Sequence, residues 1–145
     1  MTRHAWIDER LAEVPLFQGL SRKELRLVST LATPLNAPPG AVLVQEGKQG
    51  YEFVIMLEGE VEVRRHGQLV ATLGAGDYFG EMALVDHQPR TATVRTTTPV
   101  LMEVIPRREF DAMLAEMPDV ADRIRTTVAE RRHDLAAKQA ITANA

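Results

Sequence analysis

Glu81 and Arg90 are the side chains of this 145-residue chain whose types and spacing best suit chemistry. They stand nine positions apart in the run Phe79-Gly80-Glu81-Met82-Ala83-Leu84-Val85-Asp86-His87-Gln88-Pro89-Arg90-Thr91-Ala92-Thr93-Val94. A strand that ends at Gly80 and a helix that opens at Glu81 would present free backbone N–H groups, and the helix dipole adds to their attraction for an anion. The Arg90 guanidinium is a planar fork matched to two phosphate oxygens. An ionised Glu81 can only accept hydrogen bonds, so it suits a sugar hydroxyl and repels a phosphate. Together they fit a small ligand carrying both a phosphate and a ribose. The plainer alternative, for one Glu and one Arg, is that they pair with each other or with surface charges.

The elements that must position these residues read as helix, β-roll, helix. In the first segment, residues 8–32, Ser21-Arg22-Lys23-Glu24 is a capping box, with Leu20 and Leu25 placed as a hydrophobic staple. Leu25, Val28 and Leu31 follow at helical spacing, and Thr33-Pro34 is expected to stop the helix. From Pro38-Pro39-Gly40 to residue 105 the texture is that of a roll. Its strands are expected over 41–45, 52–57, 61–64, 69–73, 91–96 and 100–105, with turns at His66-Gly67 and Gly76-Asp77. The last segment, residues 107–136, predicts two helices. The first carries Phe110, Met113, Leu114 and Met117 on one face and is broken at Pro118. The second carries Val120, Ile124, Val128 and Leu135, and the small residues 136–145 are expected to fray. The fold class is thus α+β, an antiparallel β-roll (jelly roll) flanked by helices, in one domain over 1–145.

The central run resembles the phosphate-binding cassette of cyclic nucleotide-binding domains. That pattern is Phe-Gly-Glu, a few apolar or small residues, a variable loop, then Pro-Arg-Ser/Thr/Ala-Ala-Thr, and every fixed position is filled here. The likeness extends from about Leu11 to about Leu135 and implies the same fold. It implies further that Glu81 takes the ribose 2′-hydroxyl, that Arg90 takes the cyclic phosphate, and that Phe79, Gly80, Met82, Ala83, Thr91 and Ala92 complete the site. Val63 and Ala71, inward-facing on neighbouring strands, are candidates to touch the base. Arg131, in Ala129-Glu130-Arg131-Arg132, stands where an arginine covers the base in the similar binding domains of bacterial cyclic-nucleotide-gated potassium channels. A guanidinium stacks well on an aromatic face, although two arginines on a polar helix are more often simply solvated. The expected ligand is cAMP. Thr91 keeps cGMP as the alternative, since its hydroxyl can accept from a guanine amino group.

Composition closes several other doors. Net charge is −3, and the C-terminal basic residues alternate with acidic ones, so nucleic acid is not an expected partner. The chain has no cysteine, which excludes disulfides and thiolate chemistry. No apolar run reaches the roughly 20 residues that span a bilayer, and no secretory signal opens the chain. A cytoplasmic protein without membrane insertion is expected. His4, His66, His87 and His133 are scattered and show no metal-ligand spacing, so neither a metal, a cofactor nor catalysis is expected. A helix-turn-helix after the last helix is not expected. The reading is a stand-alone receptor that acts on an unidentified effector protein, and its final helix could equally join a second copy in a homodimer. The rival is a degenerate fold kept as a protein-interaction scaffold.

Overall fold

In the computed structural model residues 9–144 are described, with side chains through Asp134. Residues 9–12 are helical and a 3-10 turn, Pro15–Phe17, leads to helix α1, Arg22–Leu31. The capping box forms: the Glu24 N–H donates to the Ser21 hydroxyl at 3.1 Å and the Ser21 N–H to Glu24 Oε1 at 3.0 Å. Leu20 and Leu25 pack on the core beneath.

Eight strands follow: β1 Thr33–Ala37, β2 Val42–Val44, β3 Glu52–Glu58, β4 Val61–Arg65, β5 Gln68–Leu73, β6 Tyr78–Phe79, β7 Thr93–Thr96 and β8 Val100–Pro106. They make two antiparallel four-stranded sheets, ordered β1-β8-β3-β6 and β2-β7-β4-β5. Helix α2, Glu81–Asp86, interrupts the roll between β6 and β7; α3, Arg107–Glu116, and α4, Pro118–Asn144, close the chain.

Strand β3 explains why the roll needs its helices. Its residues alternate between two cores. Val54 and Met56 face the second sheet together with Val61, Phe79, Val94 and Met102. Phe53, Ile55 and Leu57 face the helices. A strand covered on both sides reads as an unbroken apolar run, and Phe53-Val54-Ile55-Met56-Leu57 is one. Phe53 stacks on Phe110 of α3 at 5.0 Å between ring centroids and on Tyr78 at 5.4 Å. Met113, Val120, Ile124 and Val128 extend the buried face along α3 and α4.

Several boundaries differ from the sequence expectation. Thr33-Pro34 does end α1, and it also begins β1, a strand the sequence reading did not expect, which pairs with β8 in the register Thr33↔Val104 to Ala37↔Val100. Proline is tolerated because β1 is an edge strand, where a missing N–H can face away from the ladder. Tyr78–Phe79 forms a two-residue strand too short to show any alternation, and β7 starts at Thr93 rather than Thr91. The final helix continues to Asn144 instead of fraying from Ala136, consistent with its alanine, lysine and glutamine, all strong helix formers. Pro118 is the first residue of α4, where its fixed φ and missing N–H suit a helix start. His66 and Gly67 both adopt positive φ, 51° and 78°, as a tight two-residue hairpin requires.

The fit of α3 on the roll is directly testable. Phe110→Ala should lower the unfolding free energy by roughly 3–5 kcal/mol with an unchanged urea m-value, measured by circular dichroism.

Candidate functional site

The site starts where β6 ends. Tyr78 and Phe79 are buried and paired with Ile55 and Val54, so the backbone is anchored immediately before Gly80. Gly80 has φ 94°, and a Cβ placed there would lie 2.7 Å from both Arg90 Nη1 and the Glu52 carbonyl oxygen. Conformation and space therefore both demand glycine. The chain turns at once into α2, which puts Glu81 in its first turn, and the helix ends in a left-handed His87 at φ 54°.

Arg90 is held from two directions. Its Nη1 donates to the Gly80 carbonyl at 3.1 Å and its Nη2 to the Glu52 carbonyl at 2.8 Å. Those bonds occupy two of five guanidinium N–H donors and fix the plane of the rest. Its backbone is clamped by the β2–β3 loop, with the Arg90 N–H on the Lys48 carbonyl at 2.8 Å and the Gly47 N–H on the Arg90 carbonyl at 2.9 Å. Gly50 of the same loop makes the room: a Cβ there would lie 2.6 Å from Arg90 Nε, 2.7 Å from Cζ and 2.8 Å from Ala83 Cβ. Burial lowers the Arg90 pKa, opposed by Glu52 and Glu81. Gly47, Lys48, Gly50 and Glu52 were not legible as site residues. The glycine-rich loop is visible in sequence, but its partner lies about 40 positions away and only folding joins them.

Glu81 is more deeply buried still, at 1 % exposure. It does not pair with Arg90, as the plainer sequence reading allowed. Its Oε1 accepts from Arg131 Nη1 of α4 at 2.6 Å, across 50 residues of chain. Its Oε2 is buried and has no hydrogen-bond partner. Burial pushes the Glu81 pKa up, with the Arg131 and Arg90 charges opposing. The Arg131 guanidinium also stacks over the Tyr78 ring at 5.1 Å, while the Tyr78 hydroxyl bonds Thr127 one turn earlier on α4. Arg131 is thus engaged with a carboxylate and a tyrosine, two contacts that the sequence reading did not foresee.

One cavity collects these groups, with some 730 Å³ of open space including its mouth. All eleven residues singled out from sequence line it: Val63, Ala71, Phe79, Gly80, Glu81, Met82, Ala83, Arg90, Thr91, Ala92 and Arg131. Val63 and Ala71 are direct cross-strand partners on β4 and β5. The Thr91 hydroxyl faces Met82 Sδ at 3.9 Å. Sequence reasoning missed Val44, Val70, Leu73 and Val94 on the apolar wall and Asp134 at the mouth. The wall residues are ordinary strand valines and leucines whose facing depends on register. Asp134 follows Arg131 by three positions, the helical spacing that could have flagged it. The cavity therefore offers a guanidinium, a carboxylate oxygen without a partner, and an apolar wall between them. Among the described residues no cluster of His, Cys, Asp or Glu is disposed to hold a metal ion.

Two outcomes test this geometry. Because the folded-state pKa of Glu81 is raised, the folded protein holds a proton there that the unfolded chain has lost. That contribution is full below the unfolded value of 4.5 and fades as pH rises through the folded pKa. The stability of Glu81→Gln relative to wild type should therefore increase with pH across that window, read from urea melts at each pH. Gly50→Ala should destabilise by about 1–3 kcal/mol through overpacking against Arg90 and Ala83, measured in the same way.

Known proteins resemble this chain in sequence and in fold. The family model described as cyclic nucleotide-binding domain matches residues 34–117. A cyclic nucleotide-gated potassium channel of Rhizobium etli is 38% identical over 122 residues, covering 84% of this chain and 34% of the channel. A cAMP-dependent protein kinase regulatory subunit of Yarrowia lipolytica is 34% identical over 119 residues, covering 81% of this chain and 32% of the subunit. The regulatory domain of Toxoplasma gondii PKA, co-crystallised with cAMP, superposes with a TM-score of 0.79 at 27% identity, covering 88% of this chain and 50% of that one. The chain spans about a third of the length of the two curated relatives. With the family model matching more than half of its residues, and with a β-roll that carries the complete cassette, this chain belongs to the cyclic nucleotide-binding domain family.

Proposed function

We propose that this chain is a receptor module for cAMP, with cGMP as the alternative ligand, and that it signals through its C-terminal helices. The observation that carries this reading is the partnerless Glu81 Oε2, which belongs to a buried carboxylate on the same cavity as Arg90. A buried acceptor without a donor is unfavourable by about 1–3 kcal/mol, and a ribose hydroxyl relieves that penalty. Glu81 has one oxygen for Arg131 and one for the sugar, so α4 and the ligand share a carboxylate without competing for it. Arg90, already oriented by two carbonyls, meets the cyclic phosphate with charge-assisted bonds. The base then lies along Val63 and Ala71 beneath the mouth flanked by Thr91, Arg131 and Asp134. The regulatory-domain relative co-crystallised with cAMP and the cyclic nucleotide-gated channel support the ligand class.

The ligand acts by population shift. Contacts at Gly80, Glu81 and Arg90 tighten the cassette, and α3 and α4 follow because α4 is tied to Glu81 through Arg131. A ligand biases such an equilibrium only by its differential affinity for the two states. The shared carboxylate supplies that difference. The output is a changed α3–α4 surface read by an effector protein or by a second copy of the chain. The module binds and regulates, without catalysis, in the cytoplasm and without inserting in a membrane or binding nucleic acid. A kinase regulatory subunit among the relatives supports a regulatory part.

Calorimetric titration with cAMP and then cGMP tests the reading. Micromolar or tighter binding is expected, about −8 kcal/mol or better. Arg90→Ala should weaken it by roughly 2–5 kcal/mol, and near-normal affinity in that variant would remove Arg90 from its role. The two nucleotides should differ by about 1 kcal/mol, one net hydrogen bond. Heat with neither nucleotide, and no change in melting temperature at saturating ligand, would favour the interaction-scaffold reading instead.

A further inference from the structure

Arg132, the neighbour of the expected base-covering arginine, reaches the far end of the cassette helix. Its Nε bonds Asp86 Oδ2 at 3.0 Å and its Nη2 bonds Asp86 Oδ1, a two-point fork across 46 residues of chain. Consecutive arginines on α4 therefore hold α2 at both ends: Arg131 on Glu81 in its first turn, Arg132 on Asp86 at its last residue. Glu81 and Asp86 are five residues apart, about 7.5 Å along a helix axis, and adjacent α4 side chains diverge by about 100°. Only a helix lying across the cassette can satisfy both.

The two pairs differ in what nucleotide does to them. Arg131 and Glu81 line the cavity, and neither Arg132 nor Asp86 does. The outer pair therefore lies outside the cavity and makes no direct contact with ligand there. Asp86 is also badly placed for its own helix, since a carboxylate at a helix C-terminus meets the negative end of the dipole. A departure from local preference of this kind marks a residue retained for another purpose. Arg107 braces the same end through the carbonyls of Leu84 and Ala83 and contacts His87, but it belongs to α3 and makes no bond to Asp86.

We propose that Arg132 and Asp86 are positioning residues: a ligand-independent latch that keeps α4 docked on the cassette and so sets how long nucleotide stays bound. This rests on the nucleotide-receptor reading above. The Arg132 side chain is 53% exposed and Asp86 24%, so the effect belongs to the range of exposed pairs and shows in dissociation. The test is a double-mutant cycle of Asp86→Asn, Arg132→Gln and both together. Each protein is loaded with a fluorescent cAMP analogue and chased with excess cAMP in a stopped-flow instrument. Each single variant should release the analogue about two- to fivefold faster with an association rate near wild type. The double variant should release it no faster than the singles, because both remove one interaction. Should Asp86→Asn fail to fold, Arg132→Gln decides alone, since it changes a half-exposed side chain. Unchanged release in the variants, or effects that simply add, would overturn the latch while leaving nucleotide binding standing. A wild-type chain that takes up neither the analogue nor cAMP would overturn the receptor reading, and the latch with it.

Discussion

A carboxylate buried at the rim of an apolar roll dictates much of this architecture. Glu81 is removed from water, and a charge so placed is tolerated only when opposite charge and hydrogen bonds surround it. Arg90 lies nearby but is held by two carbonyls, so the direct compensation comes from Arg131. Arg131 sits on the last helix, and bringing it to Glu81 obliges α4 to run back over the cassette. The cavity, the docking of α4 and the elevated pKa of Glu81 are three consequences of that one buried group.

The surrounding structure exists to make that arrangement rigid. Strand β3 is sandwiched between two cores and presents the Glu52 carbonyl to Arg90 from one end. Tyr78 and Phe79 pin the chain against β3 just before Gly80, so the cassette begins from a fixed point. Tyr78 then serves three neighbours at once: Phe53 in the core, Thr127 by a hydrogen bond and Arg131 by its ring face. The site and the core are thus built from the same residues. A change in α4 therefore meets Glu81 directly, through the Arg131 guanidinium.

The electrostatics assign distinct tasks to the two ends of the cavity. Arg90 keeps its charge despite burial, because guanidinium remains protonated at any working pH. Glu81 is the group whose charge is in play, since burial raises its pKa and Arg131 works against that rise. A permanent cation beside a tunable, half-satisfied anion suits a ligand whose phosphate is constant and whose sugar must be recognised by donation.

Local rules made a large part of this legible. The capping box at Ser21, the His66-Gly67 turn and the apolar spacing of α3 and α4 depend on residues within a few positions of each other, and short-range geometry is what sequence patterns encode. The cassette was readable for the same reason: its glycine, glutamate and arginine lie within one contiguous run. The sequence by itself therefore determined most of the element types, the family and eleven of the residues that line the cavity. What it left open were contacts between segments far apart in the chain. Gly50 yields space to an arginine 40 positions later, Arg131 takes one oxygen of Glu81, and Arg132 finds Asp86. Pro34 enters a strand because that strand lies at an edge. Each of these was decided only by tertiary structure, since the energy of a buried charge or a shared volume depends on which distant group arrives beside it, and that is set by how the helices dock on the roll.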